Sequence, residues 1–180
     1  AHREGIVCLS GCVSGEFART LLSGNSAEDA IAKGQEIAAW FSRVFGDRYF
    51  IEIQNNGLEV QRQALELSVE VAKRMGLPTV ATCDAHYVRQ EDAVAQDVLL
   101  CINTGKFRTD TNRMRMEGDQ FYLRSPQEMY TTFAGLEDAV ARSQQIADSV
   151  DIQLELGKRH FPTFQLPEAK TQAEYLRELC

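Results

Sequence analysis

Three short apolar runs, separated by stretches of helical spacing, most constrain how this chain can fold. The runs lie at 5–10 (GIVCLS), 49–54 (YFIEIQ) and 78–83 (PTVATC). The first and third predict buried strands, and the second predicts a strand of aromatic and β-branched residues. Strand, helix and strand joined by short connections are typical of parallel βα units. The sequence therefore predicts an α/β protein, either an α/β barrel or a doubly wound sheet.

Capping residues bound the predicted helices between these runs. Ser14 is predicted to cap a helix over 16–22, and Ser26 to begin a second helix that runs toward residue 46. Apolar residues at helical spacing predict a third helix over 59–75, which Gly76 ends. In both candidate architectures, functional side chains gather at the carboxyl ends of the strands.

After the third run the pattern becomes helical. A helix predicted over 91–103 has four apolar residues on one face: Val94, Val98, Leu99 and Ile102. Ser125-Pro126-Gln127-Glu128 has the pattern of a capping box and opens a helix that ends near 133–135. A helix predicted over 136–150 has an inward face of Ala139, Val140, Ile146 and Ala147. Two prolines predict an extended stretch over 161–167, and Thr171 is predicted to cap a last helix.

Composition and charge narrow the functional classes. Five cysteines without a Cys-x-x-Cys pair fit the cytoplasm better than a disulfide framework. No stretch approaches the roughly 20 apolar residues of a membrane span. The net charge of −7 argues against a general nucleic-acid-binding surface. The basic stretch 106–115 is an exception, either as a solvated loop or as a contact with nucleic acid or a neighbouring domain.

Two segments that follow predicted strands carry candidate metal ligands. If the strand stays extended, Asp84 and His86 point to the same side and offer a carboxylate and an imidazole. Cys12 follows the first run between Gly11 and Gly15, where the backbone is free to turn sharply. The alternative is structural: a turn-forming Asp84, a packed His86 and a Cys12 buried at a tight corner. Polar residues at 52 and 54 suit either a half-exposed strand or a barrel mouth.

Four segments together, in order and in register, resemble a known family. They lie at 9–16 (LSGCVSGE), 49–54 (YFIEIQ), 76–88 (GLPTVATCDAHYV) and 121–125 (FYLRS). They are similar to segments of bacterial DNA polymerase III alpha subunits, the C-family replicative polymerases. The resemblance implies that 1–150 is the later part of a PHP domain, an irregular (β/α)7 barrel. It also implies that 151–180 is a linker and the start of the palm region.

The same resemblance implies a set of metal ligands. In members of the family that keep the site, residues at the positions of Cys12, Asp84 and His86 bind metal ions, expected here to be zinc, manganese or iron. Other ligands, among them an H-x-H pair and a Glu, lie in the earlier part of the family's domain. The palm, with its magnesium-dependent chemistry, lies further on. The resemblance implies no catalytic residue within this chain, and many relatives have a His in place of Asn56.

For the intact protein, the resemblance implies template-directed DNA synthesis from dNTPs with other holoenzyme subunits as partners. The PHP part would be a metal-dependent phosphoesterase with 3′-to-5′ proofreading. The alternative is a non-catalytic module with a relic metal site that docks neighbouring domains or a proofreading partner; a free-standing phosphatase is less favoured. A partial barrel exposes strand edges, so the fragment is expected to form homo-oligomers or to be poorly stable, and to be inactive alone.

Overall fold

The structure is a computed structural model that describes residues 2–162, 164–167 and 170–180. Its contacts divide the chain into two compact units, Ala1–Val150 and Asp151–Cys180. The assignment of these ranges to a PHP domain and to a linker before the palm stays a prediction. No helix in the described ranges is long and apolar enough to cross a membrane.

The first unit alternates strands and helices along its first half and is helical in its second. In chain order its elements are β1 (Cys8–Leu9), α1 (Glu16–Leu22), α2 (Ala27–Phe45), β2 (Tyr49–Gln54), α3 (Glu59–Met75), β3 (Thr79–Thr82), α4 (Ala93–Thr104), α5 (Pro126–Thr132) and α6 (Glu137–Asp148). Short 3-10 turns at Gly46–Arg48 and Gln90–Asp92 precede β2 and α4.

The three strands form one parallel sheet in the order β1-β2-β3. Cys8 lies opposite Tyr49 in the first pair, and Ile51 lies opposite Thr79 in the second. Each pair is joined through helices, as parallel strands require. The predicted α/β class and parallel βα units are therefore confirmed, whereas closure into a barrel stays a prediction.

Strand β2 lies at the centre of two hydrophobic clusters. Its alternate residues Tyr49, Ile51 and Ile53 are at most 1% exposed. The first cluster joins β2 to α1, α2 and α3 through Phe17, Leu21, Ile31, Ala38, Tyr49, Ile51, Val71 and Ala72. The second joins β2 and β3 to the α5–α6 region through Ile53, Ala81, Phe133, Ala139 and Val140. Phe50, Glu52 and Gln54 point the other way and stay partly exposed.

Several predicted caps and bounds are confirmed. The bounds of β2 and α3 are those expected from the sequence. Ser26 accepts a hydrogen bond from the backbone N–H of Asp29, and Gly76 ends α3 in the left-handed conformation. The capping box at the start of α5 is formed by Ser125 and Glu128.

Three local predictions are wrong. Gly15 rather than Ser14 occupies the N-cap of α1, because the chain turns one residue later than the serine pattern suggests. Strand β1 pairs over Cys8–Leu9 alone and is only half-buried, since no other described strand pairs with it on its outer side. Ala147 is exposed rather than inward, because α6 packs on β3 through its first turns.

The apolar face of α4 forms as predicted but stays in contact with solvent. Val94, Val98, Leu99 and Ile102 are all exposed, and Ile102 reaches 71%. Cys101, on another side of the helix, is the buried residue of α4. The periodicity therefore predicts the helix correctly, while the described residues of the first unit supply no element that covers this face.

The second unit contains one helix among its described residues, α7 (Gln172–Leu179). Thr171 and Glu174 form its capping box, as predicted for Thr171. The rings of Phe164 and Tyr175 stack with centroids 5.7 Å apart. The stretch predicted to be extended over 161–167 includes Thr163, which lies outside the described residues; its other positions have neither helix nor strand.

Candidate functional site

The carboxyl ends of the three parallel strands meet at one edge of the sheet. This edge is the usual place for ligand sites in parallel α/β proteins. The segments that leave it carry the polar groups singled out in the sequence: 10–12 after β1, 54–56 after β2 and 82–86 after β3.

Glu52 of β2 connects the ends of all three strands. Its Oε1 accepts hydrogen bonds from Thr82 Oγ1 at 2.6 Å and from Gln54 Nε2 at 2.8 Å. Its Oε2 accepts from the backbone N–H of Gly11 at 3.1 Å. The backbone N–H of Glu52 donates to Ser10 Oγ at 2.9 Å. A single side chain thereby fixes the segment after β1 and the last residue of β3, a role that the sequence left open.

Cys12 lies in a sharp turn after β1, beside Glu52. Gly11 has φ +82°, which favours glycine, and a Cβ on Gly15 would approach the carbonyl oxygen of Ser10 to 2.9 Å. The expected sharp turn between the two glycines is therefore present. Cys12 is partly buried and, with Glu52, lines a small cavity of about 20 Å³.

Asp84 and His86 contact each other after the end of β3. Asp84 Oδ1 lies 3.2 Å from His86 Nε2, and the two side chains are 25% and 45% exposed. The strand does not stay extended, because β3 ends at Thr82 and Asp84 adopts φ +45°. The side chains converge as predicted, but a left-handed turn rather than strand alternation brings them together.

A neighbouring segment holds His86 in place. The backbone N–H of His86 donates to the carbonyl oxygen of Phe121 at 2.7 Å, and the two rings meet edge to face at 5.6 Å. Tyr87 and Tyr122 form an isolated parallel bridge. Phe121 is buried, so the turn carrying the two candidate ligands is tied to the core.

Asn56 is a structural residue of the site that sequence reasoning missed. It is 2% exposed, and its Nδ2 donates to the carbonyl oxygens of Cys83 at 2.9 Å and Gln120 at 2.8 Å. Its backbone N–H and side-chain oxygen are both paired with the amide of Gln61. The sequence signals only a turn at 55–57, which does not reveal these long-range bonds.

The donor chemistry of the predicted ligands suits a transition metal, but the structure does not gather all three. Two ligand atoms at about 2.0–2.1 Å from one zinc ion lie about 3 Å apart, which fits the contact between Asp84 and His86. Cys12 would add a thiolate, a ligand for zinc or iron. Within the described residues, no three side chains of His, Cys, Asp or Glu lie close enough to hold an ion. The ligand assignment stays a prediction.

The PHP domain family matches residues 1–56, which include Cys12 and Glu52. DNA polymerase III subunit alpha of Treponema pallidum (strain Nichols) is 38% identical over 180 residues, 99% of this chain and 15% of that protein. The subunit from Thermus aquaticus is 37% identical over 184 residues, which again cover 99% of this chain and 15% of that protein. The subunit from Borreliella burgdorferi is 36% identical over 180 residues, with the same coverage of 99% of this chain and 15% of that protein.

The chain therefore spans about 15% of the length of these relatives, while they cover nearly all of it. The predicted resemblance is confirmed: over nearly its whole length, the chain is similar to one segment of the bacterial DNA polymerase III alpha subunit.

Proposed function

We propose that this chain is a segment of a bacterial replicative DNA polymerase alpha subunit, and that its strand-end edge contributes to a PHP metal site. The observation that carries the proposal is the contact between Asp84 and His86 at 3.2 Å, beyond the end of β3. Similarity to polymerase alpha subunits over 99% of the chain supports the first part. The match of residues 1–56 to the PHP domain supports the second.

Asp84, His86 and Cys12 would hold the ion, with further ligands from other parts of the intact protein. Bound zinc, manganese or iron would activate water and stabilise charge on phosphoryl oxygens, as in a phosphoesterase or a 3′-to-5′ exonuclease. Glu52 would act as a positioning residue, because its two oxygens already accept bonds from Gly11, Gln54 and Thr82. The segment 120–123 would keep His86 oriented.

The intact protein would carry out template-directed DNA synthesis. DNA and dNTPs would be its substrates, magnesium would serve the palm, and the other holoenzyme subunits would be its partners. For this chain alone we propose no catalytic residue and little or no phosphoesterase activity. Self-association of the isolated chain is also part of the proposal, because no strand among the described residues pairs with the outer edges of β1 and β3.

A second function, a structural module with a relic metal site, is favoured by one observation. The Glu52 carboxylate, which lines the same small cavity as Cys12, accepts three hydrogen bonds inside the protein. Such a network holds strand ends together without any ion. In this case the module would dock neighbouring polymerase domains or a proofreading partner.

Hydrolysis by the full-length protein separates the two functions. We expect Asp84→Asn to reduce 3′-to-5′ release of nucleotides from a primed template by about 100-fold or more, since ligand changes commonly cost 10–100-fold even in the outer shell. Polymerisation should be unchanged. Asp47→Asn, at an exposed carboxylate before β2, is the control. Equal hydrolysis by both variants would favour the structural module.

A further inference from the structure

An open cavity of about 610 Å³ lies between α4 and the segment 108–118, with Tyr87 also in its wall. This volume lies within the range of ligand pockets. Three arginines line the cavity: Arg108, Arg113 and Arg115. All three belong to the segment that is basic in the sequence, whereas the whole chain has a net charge of −7.

Arg113 lines this cavity with a side chain that is held in one position. Its side chain is 4% exposed, and its guanidinium forms a two-bond pair with Asp97, with Nη1–Oδ1 at 2.5 Å and Nη2–Oδ2 at 2.9 Å. Its Nη1 also donates to the carbonyl oxygen of Met114. The Arg113 guanidinium lowers the pKa of Asp97, so the pair stays ionised at neutral pH. This ion pair, between a buried Arg113 and a partly exposed Asp97, holds α4 and the basic segment together.

The other two arginines leave positive charge at the cavity mouth. Arg108 is exposed and only reaches Asp97 Oδ2 at 3.4 Å, a carboxylate that Arg113 already occupies. Arg115 donates to the backbone carbonyl of Asp110, which neutralises no charge. The Asp110 carboxylate is nearby and accepts from the backbone N–H of Phe107. The lining of the cavity thus holds three guanidiniums and one carboxylate, that of Asp97, and is positive; Asp110 and Glu117 belong to the same segment but do not line the cavity.

Exposed apolar side chains flank the charged groups. Phe107 is 76% exposed and Met114 is 64% exposed, on the same segment as the arginines. An arginine-lined groove with an exposed aromatic ring is the combination that binds single-stranded nucleic acid. Guanidiniums contact phosphates, and the ring stacks on a base. An acidic peptide would use the arginines but would gain little from the exposed ring.

We propose that this cavity binds the phosphate backbone of a single-stranded nucleic acid. Arg108 and Arg115 contact successive phosphates, Phe107 stacks on a base, and the Arg113–Asp97 pair positions the segment. The choice of nucleic acid rests on the proposed function, while the anionic character of the ligand rests on the arginines. The metal ligands at the strand ends take no part in this site.

The test is fluorescence anisotropy of the 180-residue chain with a labelled oligothymidylate of about 12 nucleotides. Arg108→Ala/Arg115→Ala should bind at least about 10-fold more weakly. Its plot of log K against log salt should be flatter by about 1.4, since each lost phosphate contact removes about 0.7. The control, Arg19→Ala/Arg43→Ala, removes the same charge from exposed positions on α1 and α2 and should bind like the wild type.

A second variant keeps the test valid if the double variant does not fold. Phe107→Ala leaves every charge in place and should weaken binding by about 5-fold or more with an unchanged salt slope. Circular dichroism melting checks the fold of each variant. Wild-type affinity in both cavity variants, or equal weakening in the Arg19/Arg43 control, would overturn the proposal.

Two further probes identify the ligand. Inorganic phosphate should show no saturable binding by calorimetry at concentrations where the oligonucleotide binds, and polyglutamate should compete poorly. Tight binding of either probe at this cavity would overturn the choice of nucleic acid. A failed cavity test, with metal still bound at Asp84 and His86 in the full-length protein, would reject this inference and leave the proposed function standing.

Discussion

Thr82 donates a hydrogen bond of 2.6 Å to the carboxylate of Glu52 across the β2–β3 pair. The same carboxylate accepts from the backbone of Gly11 after β1. The candidate ligands Cys12 and Asp84 each lie one or two residues beyond these contacts. Glu52 therefore controls the spacing between the segments that carry them.

Replacing Glu52 should destabilise the protein. Glu52→Ala leaves the N–H of Gly11 and the hydroxyl of Thr82 without their partner, which is expected to lower the free energy of unfolding by about 1–3 kcal/mol. Thr82→Val should cost about 1–2 kcal/mol, because it removes the bond to Glu52 and the bond that Thr82 accepts from Gln54. Urea unfolding measures both. Glu36→Ala, at an exposed position on α2, is the control, and equal stability of the Glu36 and Glu52 variants would contradict this role.

Gly24, in the connection between α1 and α2, is required by its close approach to Ala30 of α2. A Cβ at this position would lie 2.5–2.7 Å from the Cβ, Cα and N atoms of Ala30, so the backbone must move. We expect Gly24→Ala to lower the free energy of unfolding by about 1–3 kcal/mol, as overpacking does. The neighbouring exposed change Asn25→Ala should have little effect in the same urea experiment. A Gly24→Ala protein as stable as the wild type would show that the close approach is absent.

The capping box of α5 predicts a pH-dependent contribution to stability. Hydrogen bonds from the Ser125 hydroxyl, the Ser125 backbone and the Tyr122 hydroxyl lower the pKa of Glu128 from 4.5 to about 2. Because the pKa is lower in the folded state, the stabilisation is present above pH 4.5 and is lost as the pH falls toward about 2.

The test compares the wild type with Glu128→Gln by urea unfolding across this pH range. The wild type should be the more stable at neutral pH, and the difference should shrink steadily below pH 4.5. A difference that does not change with pH would mean that the Glu128 carboxylate does not hold this cap in solution. Ser125→Ala should cost about 1 kcal/mol at neutral pH, as cap removal does.

Local patterns were sufficient to predict the elements that pack on the core. The run of aromatic and β-branched residues predicts the bounds of β2, and its alternate residues face the core. Helical spacing and the stop at Gly76 predict the bounds of α3. The parallel arrangement followed from short strands separated by helices. For α4 the helical spacing correctly predicts an apolar face. It does not reveal that Leu99 and Ile102 stay exposed, because burial of a helix face depends on whether another element packs against it.

The site could be predicted only in part. Asp84 and His86 are candidates because their residue types follow a strand. Their contact, however, depends on a left-handed turn at Asp84, which the sequence offers only as the structural alternative to a metal site. Glu52 and Asn56 act through bonds to residues about 30 or more positions away, such as Thr82 and Gln120. Such bonds depend on strand register and loop packing, which a single sequence does not encode locally.

Metal content of the full-length protein decides whether Asp84 and His86 bind a metal ion. Elemental analysis should find zinc, manganese or iron in the wild type and its loss in Asp84→Ala/His86→Ala. The matched control, Asp47→Ala/His160→Ala, removes the same two residue types from exposed positions and should keep the metal. If the Asp84/His86 variant carries as much metal as the wild type, or if both are metal-free, Asp84 and His86 are not the ligands and the metal site proposed here is wrong.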